Sequence, residues 1–136
     1  MISLDTNVAI ALINGQPAAR RNLAAVFEPG ESVVISVIVL SELMYGAEHS
    51  RNREHNLERV EAFLSGIAAV HAFDVEDAAE AAEVRDELAR VGRPIGPYDV
   101  LIAAQARRRN ATFLTANVRE FQRVKGLRCF AWSARP

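Results

Sequence analysis

The chain has 136 residues, half of them apolar, with 16 basic and 17 acidic side chains and a net charge of −1. That length fits one domain, residues 1–136, with a real core, and so apolar a composition excludes a disordered chain. The expected setting is a reducing cytoplasm: no apolar run reaches the roughly 20 residues that span a bilayer, no signal peptide is read at the N-terminus, and the lone Cys129 excludes an internal disulfide.

Residues 2–4 read as a short strand, followed by a helix over about 7–13 that Asn14-Gly15 and Pro17 break. A second helix over 18–27 ends at Pro29-Gly30, and Ser32 to Ser36 reads as strand two. The run from Val37 to about His49 begins with β-branched residues, yet reads as a helix because Ile38, Glu42 and Tyr45 then share one face. Residues 53–65 predict an amphipathic helix with Leu57, Val60, Phe63 and Leu64 inward, and Ala69 to Phe73 predicts strand three. Asp74 reads as an N-cap with Asp77 in the first turn. The helix it opens carries Ala81, Val84, Leu88 and Val91 on one stripe and stops at Gly92. Pro97 suits the first turn of a helix reaching about Asn110. Thr112–Thr115 is strand four, a short helix covers about 117–122, and Leu127 to Phe130 is strand five. Strands alternating with helices predict an α/β fold whose mainly parallel sheet is covered on both faces. Ligands of such sheets sit beyond the carboxyl ends of the strands.

Three carboxylates lie in apolar surroundings: Asp5, Glu42 and Asp99. Acidic side chains are almost never buried without a partner, and each of these stands by the predicted end of a strand or start of a helix. Each has an ordinary reading. Asp5 alone is a helix cap, and Asp99 alone is a first-turn acid favoured by the helix dipole. Glu42, with uncharged Ile38, Val39, Tyr45 and Gly46 as turn neighbours, fits a solvated face poorly. Together they point to a cation. Asn117, two residues past strand four, is a fourth oxygen donor, and Glu120 lies one turn further on. Oxygen-only ligands suit Mg²⁺ or Mn²⁺, and the absence of a nearby His or Cys disfavours zinc.

The net charge hides an asymmetry. From Glu76 to Arg90 there are six acidic residues against two basic; from Arg107 to the end there are eight basic against Glu120. Arg107, Arg108 and Arg109 end a helix, where cations suit the dipole, and they are also candidates for phosphate contact. Any affinity for a polyanion has to come from such a local patch. His49, His55 and His71 have no metal-ligand spacing, Cys129 reads as packing, Trp132 as closing the core, and Met44 and Tyr45 as core or dimer surface.

Leu4-Asp-Thr-Asn7, Ser41-Glu-Leu-Met-Tyr-Gly-Ala47, Ile95-Gly-Pro-Tyr-Asp-Val-Leu-Ile-Ala-Ala104 and Thr115-Ala-Asn-Val-Arg-Glu-Phe121 occur in that order, followed by Arg123-Val-Lys-Gly-Leu127 and Trp132. Together these segments resemble the PIN-domain ribonucleases, specifically the VapC toxins of bacterial toxin–antitoxin pairs. The resemblance implies a PIN-like three-layer α/β/α fold around a five-stranded sheet. It implies a Mg²⁺- or Mn²⁺-dependent endoribonuclease acting on transfer RNA or another structured RNA, with Asp5, Glu42 and Asp99 as catalytic metal ligands. Partners implied are a VapB-type antitoxin, a second copy of the chain, a heterotetramer or larger assembly, and operator DNA reached only through the antitoxin. Thr6 and Thr115 are expected to orient a carboxylate or a water, and Arg107, Arg108 and Arg119 to meet RNA. Many PIN domains place Asp just after strand four, where Ala116-Asn117 stand here; one ordered metal in the free protein is therefore expected. The competing readings are a non-catalytic RNA- or protein-binding module on this fold and an aspartyl phosphatase. The latter needs a second carboxylate where Asn7 stands and a suitably placed lysine, and Lys125 is the chain's only one.

Overall fold

The structure is a computed structural model and describes residues 1–132. In chain order the elements are β1 (Ile2–Leu4), α1 (Thr6–Ile13), α2 (Pro17–Val26), β2 (Val33–Ser36), α3 (Val37–Glu48), α4 (Arg53–Ser65), β3 (Ala69–His71), α5 (Val75–Arg90), α6 (Pro97–Arg108), β4 (Thr112–Thr115), α7 (Val118–Phe121) and β5 (Arg128–Ala131). All five strands are parallel, in the order β3-β2-β1-β4-β5. The sheet grows outward from β1 through β2 to β3, then the chain crosses back to lay β4 on the other side of β1. The switch in direction therefore lies between β1 and β4, with Leu4 opposite Leu114, where open α/β sheets place their ligands.

The core explains this order. Ile2, Leu4, Ile35, Phe113 and Leu114 are fully buried and belong to the three inner strands, while the edge strands β3 and β5 are only partly covered. α6 crosses the sheet closely because Ala103, Ala104 and Ala106 give it a thin inner face around Ile102. α3 forms despite its β-branched start because the Ser36 side chain caps it, accepting from the Ile38 N–H at 3.0 Å. Its inner stripe is Val39, Leu43 and Ala47. α5 opens with the expected capping box between Asp74 and Asp77 and buries Ala81, Val84 and Leu88. Val91 leaves that stripe: α5 ends at Arg90, Gly92 turns the chain at φ +68°, and Val91 is 63 % exposed. β3 stops at His71, two residues short of expectation. No helix among the described residues is long and apolar enough to cross a membrane.

The two halves of the charge asymmetry meet in space. Arg107 pairs with Glu80, Glu83 and Glu87; Arg108 with Asp74, Glu76 and Asp77; Arg109 with Asp77. Asp77 is fully buried and also accepts from Gln105 Nε2 at 3.1 Å. Gln105 Oε1 in turn accepts from the Ser36 hydroxyl, and its amide reaches the Ala72 carbonyl at 3.1 Å. This polar strut ties α5, α6 and the ends of β2 and β3 together beneath the site.

Candidate active site

Asp5 ends β1 at the switch point. Its N–H donates to the Leu114 carbonyl at 3.0 Å, which anchors it to β4. One carboxylate oxygen accepts from the Thr6 N–H at 2.9 Å and so caps α1. The other accepts from the Thr115 hydroxyl at 2.6 Å. Thr115 is fully buried, and its oxygen also accepts from the Asn117 N–H at 2.9 Å. The carboxylate is thus oriented from both strands while it also caps α1. Burial raises its pKa, and the Thr115 and Thr6 hydrogen bonds oppose that rise.

Glu42 sits half-buried on α3 beside the inner stripe. Its pKa rises through burial, with the Thr6 side chain working against the rise and the Asp5 charge adding to it. The Thr6 hydroxyl, although close to Glu42, is buried and makes no full hydrogen bond. Asp99 is the third residue of α6, after Gly96 at the cap and Pro97 at the first position. A Cβ on Gly96 would lie 3.3 Å from an Asp99 carboxylate oxygen, so the bare glycine leaves that carboxylate its place. Burial, then the charges of Asp5, Glu120 and Glu42, push Asp99 up to about 6. Four carboxylates from four elements therefore share one field.

Glu120 owes its position to its neighbour. Phe121 is 1 % exposed and packs on Phe113, ring centroids 4.7 Å apart at 57°, which pins α7 to the core. Asn117 caps α7 by position only: it is exposed and its side chain makes no cap bond. The Glu120 charge reaches Asp99; Asn117, a neutral oxygen donor, exerts no such effect. Among the described residues no three His, Cys, Asp or Glu side chains make a ready-formed metal cage.

The arginines divide. Arg107 and Arg108 are engaged on α5, so they do not offer free guanidinium groups to RNA. They also lie at the far end of α6, about 12–14 Å along its axis from Asp99 at 1.5 Å per residue. The acidic face of α5 already supplies ion-pair partners to both of these candidates for phosphate contact. Arg119 is exposed on α7 beside Glu120 and makes no ion pair among the described residues. The histidines, Cys129 and Trp132 stay outside the cluster: His49 and His55 are exposed, burial first and then Arg109 lower the pKa of His71, and burial raises the Cys129 thiol to about 11. Trp132 packs against the core. Met44 and Tyr45 are not core, being 46 % and 68 % exposed. Sequence reasoning missed the Gln105 strut; a lone glutamine in an apolar helix was its only signal.

The geometry has close relatives. The PIN domain model matches residues 2–127. The chain is 43% identical over 130 residues to the tRNA(fMet)-specific endonuclease VapC of Shigella flexneri, covering 96% of both chains. It is 36% identical to ribonuclease VapC2 of Rickettsia felis, over 95% of this chain and 96% of that one. In three dimensions it is similar to the VapBC2 structure from Rickettsia felis bound to a promoter DNA fragment, with TM-score 0.88 and 35% identity over 98% of this chain and 100% of that one. It is also similar to DNA-bound VapBC from Salmonella typhimurium, with TM-score 0.86 and 40% identity over 97% of this chain and 98% of that one. With its five parallel strands, its carboxylates at the β1/β4 switch point and these near full-length matches, the chain belongs to the PIN domain family, among the VapC ribonucleases.

Proposed function

We propose that the chain is a divalent-metal-dependent endoribonuclease, the toxin of a pair silenced by a VapB-type antitoxin. The observation that carries this reading is Asp5, a buried carboxylate held from β1 and β4 with Glu42, Asp99 and Glu120 in the same field. The donor set fits Mg²⁺ or Mn²⁺. It is oxygen-only and strongly anionic, and the buried Thr6 hydroxyl is an orphan polar atom of the kind a bound ligand satisfies. Asp5, Glu42 and Asp99 would hold the ion, with Glu120 the fourth acidic group. A bound ion there supplies an activated water and offsets charge on the phosphate and the leaving oxygen. Thr115 fixes the orientation of Asp5, and Gly96 leaves Asp99 unobstructed. Arg119 is the remaining candidate for phosphate contact.

A groove lined by Ile10, Ile13, Leu43, Ala47 and Val60 runs between α1, α3 and α4 with Glu42 at its lip. It suits the apolar face of an antitoxin helix, with a cation reaching the carboxylates in place of the metal. Operator DNA is contacted through the antitoxin, and the toxin is a cytoplasmic homodimer. Transfer RNA is the substrate class to test first, given the Shigella flexneri relative. Purified protein should cut tRNA(fMet) at one dominant position, and added antitoxin should stop it. RNA bound but left intact would favour the non-catalytic module instead.

The fourth position has its own test. Mn²⁺ titration followed by thermal melting should show Glu120→Gln weakening metal binding by about tenfold or more, with Asn117→Asp changing it far less. The reverse order would give the place to Asn117.

A further inference from the structure

α3 carries an aromatic pair that the cleavage chemistry leaves unused. Glu42, Tyr45 and His49 follow one another at spacings of three and four, so they share one stripe of the helix. Tyr45 is 68 % exposed and His49 is exposed. Their rings nevertheless stack, with centroids 5.7 Å apart and planes 10° apart. A tyrosine backed in this way offers one flat face to its surroundings instead of sweeping between rotamers. At 1.5 Å per residue, Tyr45 lies about 4.5 Å and His49 about 10 Å along the axis from Glu42. Stacked nucleotides repeat at about 3.4 Å, so the pair stands one to three nucleotides from the carboxylates. Glu48, the next acid along α3, is engaged by Arg53 and presents no unpaired charge to a phosphate strand.

We propose that Tyr45, backed by His49, is a base-stacking subsite that receives one unpaired base of the RNA beside the cleaved phosphate and sets where the strand is cut. The inference rests on the ribonuclease reading. Every base has a π-face, so single-strand binders use exposed aromatics in this way with little regard to sequence. A protein partner also buries exposed aromatics, but the continuity of this stripe with Glu42 favours the substrate.

The test uses tRNA(fMet) and a mixed-sequence pool of single-stranded oligoribonucleotides, each cut by wild type, Tyr45→Ala, Tyr45→Phe and Tyr45→Trp. Tyr45→Ala should lose between about fivefold and a hundredfold in kcat/KM, chiefly through KM, while Tyr45→Phe and Tyr45→Trp keep most of it. Abasic residues are then placed one at a time around the cut in tRNA(fMet). One flanking position should be sensitive in wild type and insensitive in Tyr45→Ala. Cleavage by wild type with kcat/KM, cut position and abasic sensitivity all unchanged in Tyr45→Ala overturns the subsite. So does an Ala variant that loses only self-association or antitoxin binding. If wild type cuts neither RNA, the ribonuclease reading falls first and takes the subsite with it.

Discussion

Asp5→Asn should lower RNA cleavage at least about a thousandfold, the scale set by several kcal/mol of metal-assisted transition-state stabilisation at 1.36 kcal/mol per tenfold. The change removes a charge and one of the two accepting oxygens and keeps the shape. Asn is as good an N-cap as Asp, so its one amide oxygen keeps the α1 cap, while its NH2 takes the place of the oxygen that accepts from Thr115. Asp5, Glu42 and Asp99 all have pKa values raised by burial, and each is raised further or opposed by its neighbours. Raised carboxylates weaken the folded state at neutral pH, because ionising them there costs more than in the unfolded chain. Removing one of these charges should therefore leave the metal-free melting temperature unchanged or higher. Glu42→Gln and Asp99→Asn should behave in the same way. Activity within tenfold of wild type in any of the three would remove that residue from the centre of the site.

The largest loss of stability is expected elsewhere. Asp77→Ala should cost about 3–5 kcal/mol in chemical denaturation, the range for breaking a buried charge network by removing one partner. Burial pushes the Asp77 carboxyl up, but donation from the Asp74 N–H, Arg108, Arg109 and Gln105 outweighs it and holds the group well below the usual aspartate range. A lowered folded-state pKa stabilises above the unfolded value near 3.8 and is lost as pH falls through the folded one. Asp77→Ala should therefore lose its difference from wild type progressively below about pH 4. The other groups facing Asp77 are Asp74 and Glu76 on α5, and His71 at the end of β3. The Asp77 charge raises the His71 pKa against burial and Arg109, so a contribution from His71 would make the difference grow as pH falls, in the sense opposite to the fading expected of Asp77. Val75→Ala, at a neighbouring position that is 86 % exposed, is the control and should stay within about 0.5 kcal/mol.

The contrast between these two aspartates shows what could be read from the sequence. Asp5, Glu42 and Asp99 stood out because each interrupts an apolar run, and alternating strands and helices placed all three at one edge of a parallel sheet. Element order was legible for the same reason, since hydrophobic period, caps and Gly/Pro breaks are local signals. The partners of Arg107 and Arg108 were not. Their positive charge was plain, and so was the acidic run from Glu76, but only the packing of α5 against α6 turns the two into one ion network. Gln105 and Ser36 likewise lie 69 residues apart, and nothing local joins them. Asn117 and Glu120 were both plausible fourth donors by spacing. The Phe121–Phe113 contact, which pins the short helix that carries Glu120, depends on tertiary packing. Tyr45 shows the opposite limit, since exposure of a large aromatic cannot be told from burial by helical spacing alone.

Cleavage of tRNA(fMet) by metal-stripped wild-type protein, before and after Mn²⁺ or Mg²⁺ is restored, bears on the carboxylate centre most directly. No cut in chelator and a single dominant cut once either ion is added back is the expected result. A cut of the same position and rate in chelator would contradict a metal held by Asp5, Glu42 and Asp99 as the agent of cleavage.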